Sequence, residues 1–120
     1  MKKNTLVLGA SVNTERYSNK AIRKLRANKI EVFAIGVKKG TVLDVSIEVE
    51  KLQFKDVNTV SLYLNPTRQK EYYEYIIGLK PKRVIFNPGT ENAEFEKILD
   101  QNNISTEVAC TLVLLSIKQY

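Results

Sequence analysis

The stretch Thr5-Leu6-Val7-Leu8-Gly9-Ala10-Ser11, with Val12-Asn13-Thr14-Glu15-Arg16-Tyr17-Ser18-Asn19 behind it, limits the folds open to this chain more than any other. A short apolar run with a β-branched valine reads as a buried strand, and Gly9 interrupts it. The polar residues that follow lead into Ala21, Ile22 and Leu25, which share one side of a helix. Ser18 is placed to cap that helix, its hydroxyl taking an unpaired N–H of the first turn. Strand, glycine turn, polar loop and helix bring exposed amides and the positive end of a helix dipole to one place, where a phosphate can be held. A full dinucleotide fingerprint would need glycines at positions 9, 11 and 14, but Ser11 and Thr14 replace the last two. The spacing alone leaves two readings: a phosphate loop, or a glycine that ends the first strand of any α/β protein.

The first helix is predicted over residues 19–28, and residues 30–36 form a second apolar run ending at Gly36. Strand, helix and strand make a right-handed parallel βαβ unit. Folds that take NAD usually carry a carboxylate at the end of this second strand to grip the ribose hydroxyls. Here the sequence is Gly36-Val37-Lys38-Lys39-Gly40. The lysine pair suits a phosphate on the ribose, as in NADP or coenzyme A, or else is a solvated pair in a turn. Thr41-Val42-Leu43 and Val45-Ser46-Ile47 are expected to form a small hairpin about Asp44, with a short helical turn over residues 50–54 and an irregular second crossover.

Residues 57–64 are the predicted third strand, stopped after Leu64 by Asn65-Pro66, a helix start with asparagine as cap and proline at the first position. The second helix is predicted over residues 66–79, with Tyr72, Ile76 and Leu79 on one side and Tyr72, Tyr73 and Tyr75 as packing residues. Residues 83–87 make a fourth strand running into Pro88-Gly89, a rigid turn, after which Thr90 or Asn92 caps a helix with Phe95, Ile98 and Leu99 inside. Residues 104–108 are a fifth strand. The apolar segment at 109–115 has no decisive period, and alternation with the earlier elements favours a buried helix.

At 120 residues the chain is expected to be one domain, residues 1–120, with 43% hydrophobic and 27% charged residues in the ordinary globular range. No apolar run reaches the roughly 20 residues needed to span a bilayer. The two N-terminal lysines and the apolar stretch after them lack a small-residue cleavage site and read as the first strand. A single cysteine excludes an internal disulfide and fits a cytoplasmic setting. The net charge of +6 suits an anionic partner, but the basic residues are spread out and no aromatic-glycine RNA motif is present, which disfavours nucleic acid. Histidine is absent, which removes Ser-His-Asp and Cys-His catalysis and, with one cysteine, zinc. Any acid or base would have to be a carboxylate, Lys, Tyr or Cys110.

Strands alternating with helices predict a three-layer α/β, Rossmann-like domain with a mainly parallel five-stranded sheet. Three polar loops, at residues 9–18, 64–66 and 87–92, then gather at one sheet edge. Gly9-Ala10-Ser11, Arg16-Tyr17-Ser18-Asn19, Asn65-Pro66, Asn87-Pro88-Gly89 and Cys110 together resemble the small stand-alone CoA-binding domain family, related to the CoA-binding domain of succinyl-CoA synthetase. The resemblance covers nearly the whole chain. It implies a strand order of 3-2-1-4-5 and coenzyme A across the strand ends, with Gly9, Ala10, Ser11 and Arg16 near its phosphates. It supplies no catalytic base. The cofactor-binding set expected is therefore these residues with Asn13, Gly36, Lys38, Lys39 and Leu64. Cys110 is either a small buried apolar residue or, at a helix start, a thiol able to exchange with that of CoA. The expectation is a cytoplasmic, non-catalytic CoA-binding protein, acting as a homo-oligomer or with a partner enzyme. An NADP-dependent oxidoreductase and a ligand-free interaction module are the alternatives.

Overall fold

The computed structural model describes residues 2–120. Seven strands form one sheet: β1 (Thr5–Ala10), β2 (Val32–Gly36), β3 (Gly40–Val42), β4 (Val45–Glu48), β5 (Thr59–Leu62), β6 (Arg83–Phe86) and β7 (Ser105–Val108). Their order is β3-β4-β2-β1-β5-β6-β7, parallel except for the β3–β4 pair. The α/β, Rossmann-like class holds, but the five-strand count and the 3-2-1-4-5 order do not. The hairpin predicted about Asp44 joins the sheet beyond β2, with Ala34 opposite Ile47 and Ile35 opposite Glu48. The strand expected third, β5, therefore lies on the other side of β1. Val42, Val45 and Ile47 explain the extension. They are almost fully buried against the α1 side of the sheet, which a free hairpin in solvent could not offer them.

Five helices connect the strands: α1 (Tyr17–Ala27), α2 (Pro66–Gln69), α3 (Tyr73–Leu79), α4 (Ala93–Gln101) and α5 (Thr111–Ser116). Asn65 and Asn92 cap as expected, their side chains accepting the N–H of Arg68 at 2.9 Å and of Phe95 at 3.2 Å. The helix expected at 66–79 is divided by a 3-10 turn at Lys70–Tyr72. Ser18 is not the cap of α1. The helix begins earlier, from an extended Arg16 without a side-chain cap, and Ser18 is buried in its first turn. Residues 50–54 form no helical turn. Leu52 and Phe54 instead donate to the carbonyls two residues back, Phe54 stacks on Phe33 with ring centres 4.7 Å apart, and the Tyr75 hydroxyl donates to Leu52 O. The last apolar segment is a helix, but only Thr111 and Leu115 of α5 are buried.

The sheet is covered on both faces, as parallel strands require. Leu6, Leu8, Val60, Leu62, Val84 and Phe86 point to one side, under Tyr75 and Ile76 of α3 and Phe95 and Leu99 of α4. Val7, Ala34 and Ile47 point to the other, against Ile22 and Leu25 of α1 and Leu115 of α5. Each such side chain contributes about 1.5–3 kcal/mol through its removal from water, so the alternation along each strand pins both layers at once. One consequence concerns polarity along the strands. The carboxyl ends of β1, β5, β6 and β7 and the starts of α1, α2, α4 and α5 share the upper edge. The helix ends, with the turns into the next strands, share the lower one.

Candidate functional site

Gly9 opens the upper edge. It takes φ +102°, and a Cβ there would press on Tyr63 and Leu64 at 3.1–3.2 Å, so only glycine lets β1 pass this close to the end of β5. A Cβ on Gly36 would run into the Ala10 carbonyl oxygen. Both glycines thus have a steric role, whatever they face.

The loop after Gly9 ties up much of its own backbone. Asn13 N–H donates to Ser11 Oγ at 3.1 Å, Glu15 N–H to Asn13 Oδ1 at 2.9 Å and Arg16 N–H to Asn13 O at 3.1 Å. Asn19, buried, donates to Ser11 O at 3.0 Å and accepts from Arg23 Nε at 2.8 Å. Among the described residues the N–H groups of Tyr17 and Ser18, in the first turn of α1, have no protein acceptor. The N–H groups of Ser11, Val12 and Thr14 likewise have no protein acceptor among the described residues, so free donors run from the loop into the helix start.

Two buried side-chain amides lock the remaining rim. Gln69, with no exposed surface, donates to Leu64 O and Thr90 O, both at 2.8 Å, and accepts from Asn92 at 2.9 Å. Asn87 donates to Ser61 Oγ and Leu62 O at 2.9 Å and accepts from Thr111 N–H at 2.8 Å. Between these loops lies a cleft of about 620 Å³. Gly9, Arg16, Tyr17, Ser18, Leu64 and Asn65 line one part of it, and Asn87, Pro88, Gly89 and Cys110 another. A smaller recess of about 160 Å³ adjoins it at the end of β2, bordered by Ala10, Ser11 and Gly36 and again by Gly9, Arg16 and Leu64. Asn13, Asn19, Pro66, Lys38 and Lys39 line neither. Lys38 is exposed, and Lys39 lies 3.9 Å from Glu48. Cys110 is half-buried at the start of α5.

Eight lining residues lie outside the expected set: Glu15, Thr90 and Leu112 line the larger space, Ile35, Val37 and Tyr72 the recess, and Tyr63 and Arg68 both. Tyr63 was legible only as the end of a strand. Its hydroxyl lies buried without a hydrogen-bond partner, beside the Ser61 and Thr111 hydroxyls, which bond each other at 2.8 Å. Desolvation pushes its pKa up to about 12, so it stays a neutral donor near pH 7. The one carboxylate in the lining is Glu15. No group of acidic or cysteine side chains among the described residues could hold a metal ion, and no helix there is long and apolar enough to cross a membrane.

A family model described as a CoA binding domain matches residues 3–116. A crystal structure of a protein described as uncharacterized is 48% identical, covers 100% of this chain and 99% of its own, and superposes with a TM-score of 0.97. A Thermus thermophilus protein (21% identity, 99% of this chain, 91% of its own) and a hypothetical protein from Pyrococcus horikoshii (24%, 98% and 84%) each superpose with a TM-score of 0.86, which shows a shared fold. None of the curated proteins matches significantly.

Proposed function

The chain belongs to the CoA binding domain family, and on that premise we propose that residues 1–120 form one unit that binds coenzyme A or an acyl-CoA across its upper edge. The observation that carries this reading is the pair of unpartnered N–H groups at Tyr17 and Ser18, facing a cleft that Arg16 also lines. Amides at the start of an eleven-residue helix, with its dipole behind them, favour an anion. A guanidinium beside them adds a charge-assisted bond.

The residues present fit such a ligand. Asn87, Pro88, Gly89 and Cys110 border the space that the pantetheine arm would follow. Lys38 and Lys39 remain the groups proposed for the ribose phosphate. The recess at the end of β2 is where the adenosine end would lie. We read the protein as a cytoplasmic binder without catalysis of its own, serving a partner enzyme or a second copy of itself. Support for this comes from the missing histidine, the side chain most often used for proton transfer near neutral pH.

A thermal-shift series with CoA, dephospho-CoA, NADP and NAD tests the reading. Ligand-linked stabilisation amounts to about 2.7 kcal/mol at a hundredfold excess over Kd. CoA is expected to raise the melting temperature most, and dephospho-CoA less, because the lysine pair loses its phosphate. A larger shift with NADP would favour the oxidoreductase instead, and no shift with any of them would leave an interaction module.

A further inference from the structure

The chain has five arginines (Arg16, Arg23, Arg26, Arg68 and Arg83), and the structure sorts them into two kinds. Arg23 donates to Asn19 and to Thr14 O, Arg26 makes a two-pronged contact with Asp44 at 2.9 and 2.7 Å, and Arg83 engages Thr59, Glu107 and the Tyr120 carbonyl. These three are fastened to the protein. Among the described residues, the guanidinium groups of Arg16 and Arg68 have no hydrogen bond and no ion pair. The same two arginines line both the large cleft and the recess beside it, and so mark the junction between the two spaces.

Arg68 has a further property. Its backbone is held on both sides while its side chain is free. Its N–H is taken by the Asn65 cap at 2.9 Å, and the next residue, Gln69, is the buried amide that bonds Leu64, Thr90 and Asn92. An arginine fixed at its backbone loses less freedom when its planar fork closes on an anion, and the fork can give two parallel bonds where a lysine gives a point charge.

We propose that Arg68 is a second phosphate-binding residue, closing with Arg16 on the diphosphate that joins the two halves of the ligand. Arg16 reaches the junction from the α1 side and Arg68 from the α2 side. A bridging diphosphate carries its negative charge midway along the ligand, which matches two free cations shared by both spaces. This assignment rests on the CoA reading above and adds to it the group that Arg68 holds.

The test is calorimetric titration of the wild-type chain, Arg68→Ala and Arg68→Lys with CoA and with dephospho-CoA, which keeps the diphosphate and lacks the ribose phosphate. Arg68→Ala is expected to weaken both ligands by the same factor, about tenfold to a hundredfold. Arg68→Lys should recover only part of that loss. The melting temperature without ligand should be unchanged, because the guanidinium makes no hydrogen bond and no ion pair among the described residues. A loss confined to CoA would move Arg68 to the ribose phosphate and overturn the assignment, as would unchanged affinity for both. If the wild-type chain bound neither ligand, the CoA reading itself would fall, a result distinct from the other two.

Discussion

The two edges of the sheet look alike in bulk and differ in detail. Each is basic and each holds a large depression, about 620 Å³ above and about 730 Å³ below. Lys2, Lys55, Lys80 and Lys82 line the lower one, with Glu31 and Asp56 among them. Lys80 and Lys82 there have a local reason: α3 ends at Leu79 just before them, and their charges offset the negative end of its dipole. Above, helices begin, and among the described residues N–H groups of the loop and of the first turn of α1 lack acceptors and the Arg16 and Arg68 guanidinium groups have no ion pair. Size and net charge therefore do not separate a ligand site from a surface. Free N–H groups at a helix start do, since the lower lysines are themselves without an ion pair among the described residues.

Four perturbations would break or sharpen that contrast. The largest effect is expected at Gln69, the fastening of the upper rim. Gln69→Leu leaves Leu64 O, Thr90 O and the Asn92 amide without their buried partner, and should lower stability by about 2–4 kcal/mol in urea unfolding. Survival of full stability would mean that the rim is not held by this side chain. Next comes Arg16→Ala, expected to weaken CoA about tenfold to a hundredfold by calorimetry with no change in the melting temperature; unchanged affinity would remove Arg16 from the site.

The Tyr63 hydroxyl gives a smaller, pH-dependent effect. Burial raises its pKa from 10 to about 12, so the folded state holds this proton more tightly than the unfolded one. Its contribution is intact below about pH 10 and is lost as pH rises toward 12. Stability measured by urea unfolding across that interval should fall less steeply in Tyr63→Phe than in the wild type, the remaining slope coming from Tyr75, also raised to about 12, and from Tyr72, Tyr73 and Tyr120, which burial raises as well. Equal slopes would place the hydroxyl in contact with water. The smallest effect is expected from Lys80→Ala with Lys82→Ala, which removes two cations from the lower edge and should change CoA affinity by no more than about twofold at physiological salt. A loss equal to that of Arg16→Ala would erase the distinction between the edges.

The sequence made some of this legible and hid the rest for physical reasons. The first strand, which runs one residue past Gly9 to Ala10, the Asn65-Pro66 start and the Asn87-Pro88-Gly89 turn follow from local chemistry. The strand order was hidden because the 41–47 hairpin declares its place only by pairing with β2, a contact no local pattern specifies. Ser18 reads as a cap from its type alone, yet the extended turn at Arg16 starts the helix sooner and leaves two amides free. Lys38 and Lys39 follow a strand end in sequence, but neither lines the cleft. Arg68 and Gln69 look like two solvent-facing residues of a polar helix start. Only packing shows that one is fully buried and the other unpaired.

The most direct check is an NMR titration of the ¹⁵N-labelled chain with CoA, following backbone amides and arginine Nε–H groups. The account predicts that the Tyr17 and Ser18 amides and the Arg16 and Arg68 side chains shift and saturate together, while Lys55, Lys80 and Lys82 stay still. Saturating shifts at those three lysines, with Tyr17 and Ser18 unmoved, would place the ligand at the opposite edge and contradict it.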